Sequence, residues 1–325
     1  MAEAGAANAD AEEIDPVIAR FAAAIQDGYA SYPDLDKRSM PERREIAEAV
    51  RAPWRMGGPA MAWQKDLTLA TEAGPVPVRI FDATGEAEAR AALIYAHGGG
   101  FVSFSLTTHD RLMREYAART GALVIGVDYA LSPEAKFPIA HNQMVGVFDW
   151  LAREGKGVGV DPARIAAAGD SAGANLALGM AIALRDRGAK VRPTALVLNY
   201  GFFDADFETA SHHRHGGEDK MLTTQELGGF LEAYLADPAD RANPLALPAL
   251  SALHDLPPSF HVIAQCDPLA DGDRAMADKL RAAGGDVEMR VYPGATHSFL
   301  EAVSISPLAE RALAESSAWL AGKLA

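Results

Sequence analysis

Short apolar runs that alternate with amphipathic segments are the feature that most constrains the fold of this 325-residue chain. The runs, each of a length that suits a buried strand, occupy residues 91–96, 122–127, 165–168, 195–199, 260–264 and 287–292. Segments with apolar residues at helical spacing lie between most of them, at residues 109–120, 139–154, 172–187 and 271–283. This alternation is typical of βαβ units, in which helices cover both faces of a mostly parallel sheet. The sequence therefore predicts the α/β fold class.

Two further segments precede this core. Residues 67–71 and 76–81 alternate between apolar and polar side chains around Gly74 and Pro75, which predicts a hairpin. Residues 15–50 have apolar side chains at helical spacing with a break at Pro41, which predicts two helices. We expect the Ala- and acid-rich residues 1–13 to be frayed.

One interval breaks the alternation. Between the predicted strands that end at Asn199 and begin at Phe260 lie a polar loop (residues 211–220), a predicted helix (224–235) and a Pro-rich return (238–258). A structureless loop of this length is uncommon in a compact domain. We therefore predict an insertion that forms a cap together with the N-terminal helices. The predicted boundaries are an N-terminal arm (1–55), the first part of the α/β domain (56–200), the cap insertion (201–250) and the second part of the α/β domain (251–325).

The charge excludes some classes of partner. Thirty basic residues against 44 acidic ones give a net charge of −14. This balance disfavours nucleic acids and anionic membrane surfaces, both of which require clustered Lys and Arg. No apolar run approaches the roughly 18 residues of a membrane span, and the acid-rich first residues do not resemble a secretory signal. We expect a cytoplasmic protein without stable membrane insertion.

Cysteine is almost absent from the chain. Because Cys266 is the only one, an intrachain disulfide and a thiolate zinc site are both excluded.

The sequence Gly169-Asp170-Ser171-Ala172-Gly173 fits the pattern G-x-S-x-G and lies between a predicted strand and a predicted helix. The chain must reverse so sharply there that side chains at Gly169 and Gly173 would clash, and the serine is held strained with its hydroxyl at the top of the sheet. The following helix adds a positive dipole end near any developing oxyanion. We predict that Ser171 is a nucleophile; an incidental Gly/Ser turn is the alternative.

A second motif, H-G-G-G-F at residues 97–101, directly follows the predicted strand 91–96. Three glycines let the backbone approach a ligand closely and turn its N–H groups inward. The N–H groups of Gly98, Gly99 and Gly100, together with that of Ala172, are predicted to form an oxyanion hole. A plain flexible loop or a phosphate-binding loop is the alternative. However, no lysine follows the glycines, and neither common phosphate-binding pattern occurs in the chain.

A serine nucleophile needs a general base, and the base needs an orienting carboxylate. Of the nine histidines, His297 follows a predicted strand and the turn Pro293-Gly294. Asp267 lies just past the end of another predicted strand. Both therefore fall at carboxyl ends of strands, where α/β sheets build their sites, and the chain order Ser, Asp, His is a known triad order. The alternatives are a helix N-cap for Asp267, with Asp271 as the rival carboxylate, and an ordinary surface loop for His297.

Three other histidines, His212, His213 and His215, cluster in the polar loop of the insertion. We prefer the interpretation that this is a solvated loop, because no particular carboxylate lies at the spacing of a fourth metal ligand. A metal site is the alternative. We predict no metal and no cofactor.

These motifs together resemble the hormone-sensitive-lipase-like family of α/β-hydrolases. The resemblance rests on HGGGF (97–101), DYALSPE (128–134), GDSAG (169–173), DPL (267–269) and HSF (297–299), and it covers roughly residues 50–325. It is closer still to the bacterial acetyl esterases of this family, through THDR (108–111), LSPEA (131–135), EAYL (232–235) and ADR (239–241).

The resemblance implies a capped α/β-hydrolase that cleaves short-chain carboxylic esters without metal or cofactor. It also implies that Gly99 and Gly100 donate to the oxyanion, with Ala172 as third donor. Three residues depart from the usual family pattern, namely Ala130 in place of Arg, Ser132 in place of Ala, and Ser298 in place of Gly. None of them belongs to the predicted triad.

We therefore predict a serine carboxylesterase for acetyl-like esters, in which Ser171 attacks, His297 takes its proton and Asp267 orients His297. The alternatives are a serine hydrolase for amides, carbamates or thioesters, and a non-catalytic ligand-binding homologue. The predicted substrate-binding residues are Phe101, Asp170, Phe202 and Phe203, and further aromatic candidates for the pocket wall are Trp54, Trp63, Phe104 and Phe207. The predicted partner is a small-molecule ester, and homo-oligomerisation is left open.

Overall fold

A single sheet forms the centre of the protein, whose computed structural model describes residues 13–86 and 88–325. Its strands are β1 (Trp63–Thr71), β2 (Gly74–Asp82), β3 (Arg90–Ala96), β4 (Leu123–Val127), β5 (Val160–Asp170), β6 (Leu196–Asn199), β7 (Ser259–Cys266) and β8 (Val287–Thr296). The eight strands lie in the order β1-β2-β4-β3-β5-β6-β7-β8. Strands β3 to β8 are parallel, whereas β2 is antiparallel to both β1 and β4. The predicted α/β fold with a mostly parallel sheet is confirmed.

Helices cover both faces of this sheet. They are α1 (Pro16–Ala30), α2 (Met40–Arg51), α3 (Asp110–Thr120), α4 (Ile139–Glu154), α5 (Ala172–Asp186), α6 (Ala210–His215), α7 (Thr224–Tyr234), α8 (Ala270–Ala282) and α9 (Pro307–Leu324). Strand β3 shows how the two cores form, since Ile94 faces the core beneath α4, α5 and α8 while Leu93 and Tyr95 face the core beneath α1, α3 and α9. Both faces of a central parallel strand are apolar because helices bury both.

The predicted hairpin is confirmed, with Thr71 opposite Gly74 in the antiparallel pair β1–β2. Most of the other predicted elements end within a few residues of the observed ones. Two expectations were wrong. Strand β8 does not stop at a Pro293-Gly294 turn but continues to Thr296, beside a register irregularity in β7 between Ala264 and Cys266. In addition, the polar loop of the insertion contains the short helix α6, which Thr209 caps by accepting the His212 N–H.

The N-terminal helices and the insertion lie together above the glycine-rich loop. Asp15 caps α1 by accepting the N–H groups of Val17 and Ile18, at 2.8 and 3.1 Å. The Gln26 Nε2 group donates to the Asp219 carbonyl oxygen at 3.0 Å, which joins the arm to the insertion. This contact agrees with a cap built from two separated segments. The residue boundaries of the four predicted parts stay a prediction, and residues 1–12, including most of the predicted frayed end, lie outside the described residues.

Of the helices that the structure describes, none combines the length and the apolar character that crossing a membrane demands.

Candidate active site

Ser171 lies at a tight reversal between β5 and α5. Its backbone has φ 55° and ψ −120°, a combination that a non-glycine residue rarely adopts. A Cβ at Gly169 would lie 2.7 Å from the Ala174 nitrogen, and one at Gly173 would lie 2.7 Å from the His97 oxygen. Only glycine fits at either position, as the sequence predicts. The reversal presents Ser171 to a cavity above the sheet.

The glycine-rich loop follows β3 and runs alongside this reversal. Gly99 and Gly100 have φ of 105° and 62°, which favours glycine, and both line the same cavity as Ser171. Among the described residues, their N–H groups have no protein acceptor. Ala172 is the first residue of α5, and the first N–H groups of a helix lack an intrahelical acceptor. These three donors are therefore free to bind an oxyanion.

Gly98 does not fit its predicted role as an oxyanion donor. Its N–H donates to Asp170 Oδ1 at 3.1 Å, below the cavity. A Cβ at Gly98 would also collide with the Asp170 carboxylate. Gly98 is thus a glycine because the loop must lie close to β5, and the prediction for this residue needs correction.

His297 and Asp267 form a buried pair. His297 Nδ1 lies 2.7 Å from Asp267 Oδ2. The other carboxylate oxygen, Oδ1, accepts the Leu269 N–H at 2.9 Å, so that the carboxylate is held from two sides. Both residues follow directly on strand ends, Asp267 after β7 and His297 after β8. The arrangement fixes which ring nitrogen of His297 faces the cavity.

The rival carboxylate, Asp271, is engaged elsewhere. Its Oδ2 accepts the Ser211 N–H at 2.9 Å, and its Oδ1 pairs with Arg274 at 3.1 Å. Beside His297, Ser298 has φ 61°, a left-handed conformation that favours glycine. Where the resemblance leads us to expect glycine, this chain thus has a strained serine, next to the predicted base His297.

Ser171 and His297 share one cavity of about 830 Å³. The cavity wall is mostly apolar and comes largely from the cap. The arm contributes Ile25, Tyr29, Leu35, Met40 and Ala47, and the insertion contributes Met221, Leu222, Leu227, Phe230 and Ala233. Phe104, one of the predicted wall residues, follows the glycine-rich loop and lines the cavity as well. A volume of this size suits a small-molecule ligand.

Three of the four predicted substrate-binding residues are not part of this wall. Phe101 is buried and stacks on Tyr234 with 3.8 Å between ring centroids. Phe202 and Phe203 are buried in the core below the cavity. None of these three rings lines the cavity, and a part for them in substrate binding stays a prediction.

Asp170, the fourth, borders the cavity but is engaged in a buried network. It accepts hydrogen bonds from Tyr95 Oη at 2.8 Å and from Gly98 N, and its Oδ2 lies 3.1 Å from His109 Nε2. Burial by itself would raise the pKa of Asp170, but His109 and Tyr95 outweigh it and hold that pKa below its ordinary value. Burial lowers the pKa of His97, beside this network, to about 3, so that its ring is neutral. Asp170 therefore supports the glycine-rich loop.

The histidines of the insertion have different surroundings in the structure. His212 is buried and its Nδ1 lies 3.0 Å from Thr224 Oγ1. The exposed His213 faces Glu208 at 3.6 Å. Within residues 13–86 and 88–325, no three His, Cys, Asp or Glu side chains lie together in a group that could hold a metal ion.

Most of the residues that enclose the cavity, above all Phe230, were not predicted from the sequence. Its ring lies where a Gly100 side chain would be, and it thereby covers the proposed oxyanion donors. The predicted cap insertion was the one available signal, because helix 224–235 was expected to pack over the sheet. Which of its side chains faces Ser171 depends on tertiary packing.

The chain is similar to known proteins of the same fold. Residues 93–301 match the family described as alpha/beta hydrolase fold. A hyperthermophilic esterase from the archaeon Pyrobaculum calidifontis is 30% identical, with a TM-score of 0.87 over 95% of this chain and 98% of that chain. A thermostable esterase from Pseudomonas putida is 28% identical, with a TM-score of 0.90 over 98% of this chain and 99% of that chain. A thermophilic carboxylesterase cloned from a metagenomic library is 32% identical, with a TM-score of 0.85 over 89% of this chain and 99% of that chain.

Proposed function

This chain belongs to the α/β-hydrolase fold family, in its hormone-sensitive-lipase-like branch, and on that premise we propose that it hydrolyses short-chain, acetyl-like esters through an acyl-enzyme intermediate. The similar solved structures are esterases and carboxylesterases, and the chain is a carboxylic ester hydrolase. One observation carries the proposed mechanism. Ser171, His297, Gly99 and Gly100 line a single cavity, and Asp267 lies 2.7 Å from His297.

In the proposed mechanism, Ser171 Oγ attacks the ester carbonyl carbon while His297 Nε2 takes its proton. Asp267 holds the Nδ1–H tautomer and stabilises the imidazolium that forms. The C–O bond to the alcohol then breaks, and His297 returns the proton to the departing alcohol oxygen. Water repeats the sequence on the acyl-enzyme, which releases the carboxylic acid and restores Ser171.

The tetrahedral intermediates place a negative charge on the former carbonyl oxygen. The proposed donors to it are the N–H groups of Gly99, Gly100 and Ala172. Removing one oxyanion donor typically costs about 3 kcal/mol of transition-state stabilisation. The positive end of α5 points the same way, which adds to the stabilisation. This chemistry uses side chains and backbone alone, so the proposal includes no metal and no cofactor.

The short acyl preference is supported by the side chains beside the donors. Phe230 lies over Gly100, and Phe104 packs against Gly99, where a Cβ would lie 2.8 Å from its ring. These rings leave limited room at the oxyanion end of the cavity. The rest of the cavity, which the N-terminal arm and the insertion line, is available for the other half of the ester. The composition supports a cytoplasmic location and a small-molecule partner.

The experiment is a series of p-nitrophenyl esters from acetate to dodecanoate, run beside the anilide and the thioester of the preferred acyl group and a p-nitrophenyl N-alkylcarbamate of similar size. We expect the highest kcat/KM between acetate and butyrate, a fall of at least tenfold by octanoate, and slower turnover of the other three bonds. Ser171→Ala, assayed in parallel, gives the background rate. A maximum at octanoate or longer would contradict the short acyl preference. Faster cleavage of the anilide, carbamate or thioester favours another acyl-transfer reaction, and no turnover above background favours a ligand-binding homologue.

A further inference from the structure

One arginine of the cap is buried between the two loops of the proposed site. Arg51 is the last residue of α2, and its side chain is 6% exposed. It lines the same cavity as Ser171 and His297. A guanidinium is costly to remove from water unless it is paired, so its contacts identify what it does.

The first contact is with the loop that carries His297. Arg51 Nη1 donates to Glu301 Oε1 at 2.6 Å, and the Glu301 side chain is only 4% exposed. Glu301 lies in the turn of helix directly after His297, and its N–H donates to the Ser298 carbonyl oxygen at 3.0 Å. The ion pair therefore connects α2 to a residue that is itself hydrogen-bonded to the strained neighbour of His297.

The second contact is with the loop that carries the oxyanion donors. The Arg51 guanidinium carbon lies 4.7 Å from the centre of the Phe104 ring, which is the geometry of a cation–π interaction. Phe104 has φ 72° and packs against the backbone of Gly99. One side chain of the cap thus touches both loops, although 250 residues separate Arg51 from Glu301.

The buried position does not remove the charge of Arg51. Burial alone would lower the pKa of Arg51, but Glu301 and Tyr29 outweigh it and raise that pKa. A buried ion pair contributes little net stability compared with apolar packing of the same volume, whereas its directional hydrogen bonds fix geometry. Its main effect here is therefore on the relative position of the two loops.

We propose that Arg51 is a positioning residue, which holds the histidine loop through Glu301 and the glycine-rich loop through Phe104 at the spacing that acyl transfer needs. The proposal rests on the esterase function proposed above. It gives the N-terminal arm a part in turnover, in addition to its part in enclosing the substrate.

The test compares Arg51→Met with Arg90→Met. Arg90 is the matched control because it also forms a buried ion pair, with Asp82 at 2.9 Å, but lies at the opposite end of β3 from the glycine-rich loop. Activity on p-nitrophenyl acetate is measured well below the melting temperature of each variant, and active sites are counted by titration. We expect both variants to have a lower melting temperature. Only Arg51→Met should lose kcat, at least tenfold per active site, with KM within threefold of wild type.

Glu301→Gln is the second variant, because it keeps the shape of the side chain while removing its charge. We expect at least a fivefold loss of kcat, and this variant decides the outcome if Arg51→Met does not fold. The proposal is overturned if the folded variants keep kcat within twofold of wild type, or if Arg90→Met loses as much kcat as Arg51→Met. A wild-type protein without esterase turnover would instead overturn the proposed function.

Discussion

Two buried His–Asp pairs lie at β7, and they have nearly the same local geometry. His297 Nδ1 is 2.7 Å from Asp267 Oδ2, and His261 Nδ1 is 2.7 Å from Asp273 Oδ1. Asp267 follows β7, while His261 lies within that strand and Asp273 in α8. By distance alone, each pair could be a general base with its orienting carboxylate.

The difference lies in what surrounds each imidazole. His297 borders the cavity that contains Ser171. His261 is fully buried, and its Nε2 has no hydrogen-bond partner within the described part of the chain. Asp273 accepts the Gly201 N–H at 3.1 Å, and burial raises its pKa even though His261 opposes that shift. The comparison teaches that a His–Asp pair becomes a candidate site only through access to a nucleophile and to a ligand.

The largest effect is expected at the nucleophile Ser171, which shares its cavity with His297. Ser171→Ala should lower kcat by about 10⁶-fold, because it removes the atom that forms the acyl-enzyme. Steady-state hydrolysis of p-nitrophenyl acetate measures this, and the melting temperature is the control for folding. A variant that keeps more than a hundredth of wild-type kcat would refute the assignment.

The second substitution, at Asp267, disrupts the His297–Asp267 pair, which faces the cavity. Asp267→Asn should lower kcat by about 10⁴-fold, since an amide favours the wrong tautomer of His297 and does not stabilise its imidazolium. The same assay checks this, with circular dichroism to show that the fold is retained. A loss below tenfold would mean that Asp267 is not the orienting carboxylate.

The third substitution, at Asp273, disrupts the His261–Asp273 pair, which is remote from the cavity. Asp273→Asn should destabilise the protein by about 1–3 kcal/mol, because it perturbs the buried hydrogen bonds to His261 and Gly201. Urea unfolding measures the free energy, and kcat of the native fraction should stay within threefold of wild type. If Asp273→Asn reduced kcat as strongly as Asp267→Asn does, the assignment of one pair to catalysis and the other to stability would be wrong.

The smallest effect is expected at a third pair, His109–Asp170, below the glycine-rich loop. Burial tends to lower the pKa of His109, but Asp170 outweighs it and raises that pKa. Protonated His109 therefore stabilises the fold below its unfolded pKa of about 6.5, and this contribution is lost as the pH rises through the higher folded pKa. Asp170, whose pKa is lowered, contributes above about pH 4 and loses its contribution as the pH falls.

His109→Gln should accordingly cost about 1 kcal/mol near pH 6 and less at pH 9. Urea unfolding of both proteins across this range measures the difference. A difference that grows with pH would show that His109 is neutral in the folded protein.

The parts of the site that were readable from the sequence depend on local backbone requirements. Gly169 and Gly173 were interpretable because the reversal at Ser171 leaves no space for a Cβ. The strand before Asp267 followed from the apolar run 260–264, whereas β8 extends four residues beyond the run 287–292 that was predicted for it. The sheet and most helices were predictable for the same reason, since periodicity records which face is buried.

Three other features could not be predicted from the sequence, because they depend on contacts between segments that are distant in the chain. Phe101 was expected near the substrate, but its ring stacks on that of Tyr234. The ion pair of Arg51 with Glu301 joins residues 250 positions apart, and no local pattern records it. Helix α6 was read as a loop because its Ser and His residues favour helices weakly, and tertiary contacts such as that of Ser211 with Pro268 support it.

The role of Ser171 as the nucleophile that forms the acyl-enzyme is the basis of the proposed mechanism. Its most direct test is labelling with a p-nitrophenyl alkylphosphonate, which forms a stable adduct with an activated serine, followed by intact mass and peptide mapping. We expect one adduct per chain, on Ser171, with esterase activity lost in proportion to labelling. Equal labelling of Ser171→Ala, or complete inactivation with the label on another residue, would contradict it.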